Sequence, residues 1–276
     1  MRFAICQELF EGWEWERQCE FIAKTGYTGV EVAPFTFSKQ TDPVSSDQLQ
    51  SMRTTAAQHG LQIIGLHWLL AQTEGLHLTS EDDDVREDTA QYIARLALMC
   101  DELGGDVLVF GSPFQRSIPE KKFKKVGMDC ATKVFKRALE LMGDRAVRIC
   151  MEPLTEKETN FINTCAEAVE LMQLVDDPRF VLHQDVKAML GAESEAIPVL
   201  IDRYKDVTGH FHVNDSNLLG PGMGETKYEP ILKALLDAQY DGWVSVEVFD
   251  YSPGCEHIAR VSLEYLQQTL DTVRAS

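Results

Sequence analysis

Eight short apolar runs alternate with eight amphipathic stretches along this chain, and that alternation limits its fold more than any other feature. The runs at 3–6, 29–33, 62–68, 107–110, 148–152, 180–185, 210–214 and 243–249 are short and mostly apolar, and none has a proline in its interior. The stretches at 15–24, 46–59, 85–103, 128–142, 165–175, 197–204, 230–238 and 256–272 repeat their apolar residues at helical spacing. Spread over 276 residues this is about 34 per unit, the size of one strand-and-helix repeat. No linker rich in Pro, Gly or Ser breaks the series. Eight equal units favour closure, so the expectation is an α/β chain forming one (β/α)8 TIM barrel over 1–276. The alternative is an open doubly wound sheet. Its nucleotide-binding variants need a glycine-rich turn after the first strand, and Cys6-Gln7-Glu8-Leu9-Phe10 has none.

In such a barrel the functional residues stand at the C-terminal ends of the strands. There, four consecutive strands each carry ionisable groups in an otherwise apolar run: Met151-Glu152-Pro153, His183-Gln184-Asp185, His210-Phe211-His212 and Val246-Glu247-Val248. Side chains alternate faces along a strand, so Val244, Val246 and Val248 share one side while Ser245 and Glu247 share the other. The valines suit the helix layer, which turns Glu247 to the lumen. The same count pairs His183 with Asp185 and His210 with His212.

Uncompensated charges in a barrel mouth cost several kcal/mol each, so something positive is required there. Three carboxylates and an imidazole make a hard, oxygen-rich shell. It suits one divalent ion (Mn²⁺, Co²⁺ or Mg²⁺, with Zn²⁺ also admitted) better than a cysteine-rich structural zinc site. The expected ligands are Glu152, Asp185, His212 and Glu247. The plainer reading, that these groups only satisfy one another, serves for one such strand better than for four in succession.

With these motifs the sequence resembles the xylose-isomerase-like superfamily of sugar isomerases and epimerases, which includes ketose 3-epimerases, hydroxypyruvate isomerases and inosose dehydratases. The likeness spans nearly the whole chain. M-E-P-L at Glu152, H-Q-D-V at Asp185, H-F-H-V-N-D at His212 and V-E-V-F-D at Glu247 match the metal ligands of the 3-epimerases in order and spacing. Glu158 and Asn163-Thr164 fit the pattern E-x5-E-x4-N-T.

The resemblance implies proton transfer on a small polyhydroxy carbonyl substrate through a metal-stabilised enediolate, with Glu152 and Glu247 as the catalytic pair on opposite faces. It also makes Glu158, His67, Trp68, Lys187 and His183 candidate substrate contacts. His183 and His210 lie one step deeper than the ligands and read as supporting or core histidines. The chain departs from the 3-epimerases at Ala188 and Leu218, where those enzymes carry a substrate-contacting histidine and an arginine. An isomerase or epimerase of a sugar or sugar derivative is thus the leading expectation. A metal-dependent dehydratase or lyase, or a non-catalytic sugar-binding barrel, stays open beside it. A homo-oligomer accords with the family.

Composition narrows the partners. The formal charge of −18 opposes nucleic acid, and the only basic knot is Lys121, Lys122, Lys124 and Lys125, read as a solvated helix face. An AP endonuclease, which shares this barrel but holds three zinc ions with many more histidines, is disfavoured by that charge and by seven histidines in all. No apolar run reaches the roughly 20 residues of a membrane span, and Met1-Arg2-Phe3 leads straight into a strand, so a cytoplasmic protein is expected. Seven scattered cysteines without a C-x-x-C pair suit buried, reduced thiols. Three features remain: Trp13 and Trp15 offer a sugar-stacking platform or a helix anchor, Glu31 a polar partner, and Gly220–Glu225 a shaped loop over the mouth.

Overall fold

The alternating runs become eight parallel strands in a computed structural model that describes residues 1–275, apart from the side chain of Lys122. The strands are β1 (Arg2–Cys6), β2 (Gly29–Val32), β3 (Gln62–Leu66), β4 (Val107–Phe110), β5 (Arg148–Met151), β6 (Phe180–Asp185), β7 (Thr208–Val213) and β8 (Trp243–Val246). Each pairs with the next in sequence order, and β1 pairs with β8 at Arg2↔Trp243 through Ile5↔Val246, closing the barrel. The fold is the expected α/β TIM barrel.

Nine α-helices pack outside it among the described residues: α1 (Trp15–Thr25), α2 (Ser46–Gln58), α3 (Asp83–Leu103), α4 (Lys124–Met142), α5 (Cys165–Val175), α6 (Val186–Ala192), α7 (Ile197–Tyr204), α8 (Glu229–Asp237) and α9 (Cys255–Ala275). Eight match the amphipathic stretches. The ninth, α6, follows β6 without a loop, because the Asp185 side chain caps it by accepting from the Ala188 N–H at 2.6 Å. Lys187 is therefore in a helical first turn and only 9% exposed.

The main apolar core fills the space between barrel and helices. Val244, Val246 and Val248 of the β8 segment are buried in it, as their alternation requires, each stabilising by about 1.5–3 kcal/mol. Facing the lumen, by contrast, are polar groups with no exposure: Glu31, His67, His183, His210, His212 and Ser245. Two register shifts, between Val30 and Glu31 and between Leu182 and His183, fall where lumenal groups enter the strands.

Several outlying residues find structural work. The Trp15 indole donates to the Met52 carbonyl at 3.0 Å and ties α1 to α2, while Trp13 packs against Phe10 and Phe21 under the Arg17 guanidinium. Neither forms a stacking platform. The glycine-rich loop packs on α9 at one end and on Asp215, just beyond β7, at the other: a Cβ at Gly220 would fall 2.1 Å from Ser262 Oγ and one at Gly224 2.4 Å from the Asp215 carboxyl carbon. Six cysteines are buried and Cys255 is partly so, all unpaired, and burial pushes the Cys6 thiol up to about 11. No helix among the described residues is long and apolar enough to cross a membrane.

Candidate metal centre

At the C-terminal mouth the structure brings together Glu152, Asp185, His212 and Glu247, one ligand atom of each lying within 4.8 Å of the others. All four are buried. The strands that carry them are neighbours, β5 through β8, so register alone sets the groups side by side.

Each ligand is held from behind. Asp185 accepts from the Ala188 N–H through Oδ1 and from Asn214 Nδ2 at 2.6 Å through Oδ2. His212 has Nδ1 3.2 Å from Glu247 Oε2 and Nε2 3.1 Å from Glu31 Oε1. A carboxylate on the far nitrogen fixes an imidazole's tautomer and orientation, as behind many metal-bound histidines. Glu31 is thereby the polar partner expected of it, shared with His210 at 2.8 Å. Glu247 also accepts from the Trp68 indole at 3.1 Å. Glu152 has room only because residue 111 is glycine, where a Cβ would stand 2.3 Å from Glu152 Oε2. Buried Arg116 donates to the Glu152 backbone carbonyl at 2.6 Å and to that of Ile162 at 3.0 Å.

The electrostatics separate the two glutamates. Burial, reinforced by the charges of Glu247 and Asp185, raises the Glu152 carboxyl well above its ordinary value. Burial likewise lifts Asp185 to about 6, against the opposing charge of Lys187. For Glu247 burial pushes the same way but is outweighed by the charge and hydrogen bond of His212, and its carboxyl ends below the ordinary range. Three carboxylates this close cannot all ionise without a further positive charge. The donor set, the buried geometry and the cradle at Gly111 fit a divalent cation.

The candidate substrate contacts divide. Trp68 is half-buried above Glu247, in a left-handed backbone conformation (φ 53°) and between the rings of Phe35 and Phe249. Strain of this kind gathers at functional sites. Lys187 and Glu158 form an ion pair at 2.8 Å, and the Lys187 Nζ lies 3.9 Å from the centre of the Phe249 ring. Both line a cavity of about 1090 Å³ beside the mouth. His67 and His183 both have no exposure, and a ring nitrogen of His67 lies within 4.8 Å of a Glu247 oxygen. His67 Nε2 meets Glu8 Oε2 at 2.6 Å, and His183 stacks on His210 with Nε2 3.9 Å from Glu152 Oε1. His67 Nδ1 and both ring nitrogens of His183 have no hydrogen-bond partner among the described residues.

The basic knot is solvated as expected at Lys121 and Lys125, both exposed, and it also borders the cavity. Lys121 pairs with Glu156 and Lys124 with Glu167, and both lysines line the same cavity. Lys125 is exposed, and the Lys122 side chain lies outside the described residues. Sequence reasoning missed Glu8, Gly111, Arg116 and Asn214; of these only Asn214, in the run after His212, carried a local signal.

A model of the xylose isomerase-like TIM barrel family matches residues 19–269. The probable ketose 3-epimerase of Synechocystis sp. is 25% identical over 268 residues, 90% of this chain and 88% of that protein. The D-psicose 3-epimerase of Ruminiclostridium cellulolyticum is 28% identical over 252 residues, 86% and 80% of the two chains. Both relatives are sugar epimerases. The crystal structure of D-psicose 3-epimerase with D-tagatose from Clostridium cellulolyticum H10 superposes with a TM-score of 0.84 at 22% identity, covering 98% of this chain and 99% of that one, a likeness of fold. The chain belongs to the xylose isomerase-like TIM barrel family.

Proposed function

We propose that this protein is a divalent-metal-dependent isomerase or epimerase of a sugar or sugar derivative, with Glu152 and Glu247 exchanging a carbon-bound proton. The observation that carries the reading is the convergence of one carboxylate or imidazole from each of four adjacent strands to within 4.8 Å. The sugar epimerases among its relatives support the substrate class.

Glu152, Asp185, His212 and Glu247 would hold the ion. When bound, it would supply Lewis-acid charge opposite the oxyanion that develops as a proton leaves carbon. The rest falls to the chain. One glutamate accepts the carbon-bound proton and the other returns one on the opposite face, and the charge and hydrogen bond of His212 favour the ionised form of Glu247. Trp68 fixes the Glu247 carboxylate by its indole N–H and roofs it against water. Glu31 keeps the His212 ring from turning, and Asn214 does the same for Asp185.

Protein stripped with EDTA should lose activity on ketoses and recover it with Mn²⁺, Co²⁺ or Mg²⁺. Glu247→Gln should abolish wash-in of deuterium from D₂O while leaving the circular dichroism spectrum intact. Full activity without metal would refute the reading. Undiminished exchange would remove Glu247 from the chemistry, and metal-dependent sugar binding without any exchange would leave a binding barrel.

A further inference from the structure

Beside the four ligands lies the cavity of about 1090 Å³, and none of those ligands is among its lining residues. A single sugar ring chelated by them would leave that space to solvent. The volume is at the upper end of what whole drug-sized ligands occupy, about 300–1,000 Å³.

The cavity and the ligands are nevertheless parts of one site. Every strand that contributes a ligand contributes a piece of cavity wall within the next six residues: Thr155 and Glu158 after Glu152, Lys187 after Asp185, Leu218 after His212 and Phe249 after Glu247. Lys187 and Phe249, each two residues beyond a ligand, touch one another and form the inner wall. A molecule held by the ligands and extending past Lys187 or Phe249 would enter the cavity.

The lining chemistry says what the far part of that molecule is. Of the four wall lysines three are matched by wall glutamates, Lys121 with Glu156, Lys124 with Glu167 and Lys187 with Glu158, and the fourth, Lys157, is exposed, so the buried part of the wall holds no unmatched cation for a phosphate or carboxylate. Paired charges instead present fixed donors and acceptors, together with Thr155, Asn160, Asn163 and Thr164. Against this polar wall stands an apolar strip of Leu190, Leu218 and Phe249, with Leu190 47% and Leu218 43% exposed. A surface that is hydrogen-bonding on one side and apolar on the other suits a neutral, polyhydroxylated ring.

We infer that the substrate is an appended sugar: a keto sugar whose reacting end meets the four ligands and whose glycosyl-sized, uncharged substituent fills the cavity. This deepens the proposed function and rests on it. The reacting carbon belongs to the glutamate pair, and the substituent is gripped by the Lys187–Glu158 end of the cavity.

The test compares D-fructose with D-fructose carrying a glucosyl group on O1, O4 or O6, following deuterium wash-in from D₂O on the Mn²⁺-loaded full chain. The best of the three disaccharides should exceed free fructose at least fivefold in kcat/KM. A smaller ratio overturns the inference while leaving the epimerase reading in place. Exchange with none of the four sugars overturns both. Leu190→Trp, which narrows the cavity from α6 without touching a ligand, should lower kcat/KM for the preferred disaccharide at least fivefold. An unchanged value with a melting temperature equal to wild type counts against the inference. Fructose 6-phosphate serves as the charged control, and its preference over every disaccharide would likewise contradict a neutral substituent.

Discussion

Trp68 donates its indole N–H to Oε1 of Glu247 at 3.1 Å, from a backbone held at φ 53°, so the residue that ends the β3 segment steadies a carboxylate at the end of β8. Trp68→Phe keeps the ring and removes the donor. A preorganised donor on a reacting group is worth roughly 10²–10³ in kcat where it stabilises developing charge, and less where it only orients a base. The expected result is a kcat loss of about tenfold to a hundredfold with KM nearly unchanged, read by steady-state kinetics. A loss confined to KM would make Trp68 a binding residue only.

Glu31 sits on β2, across the lumen from His212, with oxygens 3.1 and 3.2 Å from its Nε2. Glu31→Gln removes the charge that favours one tautomer of His212. Outer partners of metal-bound histidines are worth about 10–100-fold in affinity. Calorimetric titration with Mn²⁺ should show a weakening in that range, and an unaltered Kd would deny Glu31 its orienting role.

Gly111 bears on Glu152 through space, since a Cβ there would stand 2.3 Å from Oε2. Gly111→Ala should push the carboxylate aside. Displacing a reacting group by about 1 Å costs on the order of a hundredfold in rate. The variant should fold, as judged by circular dichroism, and lose that much activity; near-normal turnover would show that the carboxylate relaxes freely.

The raised carboxyls set a pH dependence. Asp185 is lifted to about 6, and Glu152 well above its ordinary value, both chiefly by burial. A carboxyl whose pKa is raised by folding destabilises the metal-free protein as pH climbs from the unfolded value, about 4, through the folded one. A bound cation displaces those protons, so its stabilisation grows over the same window. The rise in melting temperature on adding saturating Mn²⁺ should therefore be larger at pH 8 than at pH 5. A saturating ion at 100 times its Kd contributes about 2.7 kcal/mol. A shift independent of pH, or larger at pH 5, would contradict the assignment of these carboxyls as ligands.

Much of this was legible in the chain because periodicity and composition act locally. Val244, Val246 and Val248 announce which face of β8 meets the helices, and Glu247 between them can only point inward. A carboxylate in an apolar run stands out in the same way at Glu152 and Asp185. What escaped depends on neighbours distant in sequence. Nothing near Lys121 or Lys124 tells that they pair with Glu156 and Glu167, 35 and 43 residues away, across the entrance of a cavity. Arg116, flanked by polar residues, reads as surface and is wholly buried, its guanidinium capping two backbone carbonyls. The helix α6 is seven residues long and has too few turns to show a period, and its start is fixed by the Asp185 side chain rather than by a loop.

The central claim is that four side chains from β5 to β8 share one divalent ion. Crystals of the Mn²⁺-loaded protein, measured at the manganese absorption edge, test it directly. The account predicts one anomalous peak about 2–2.3 Å from an oxygen of each of Glu152, Asp185 and Glu247 and from Nδ1 of His212. No peak among these residues at full manganese loading, or a peak elsewhere in the barrel, would contradict it.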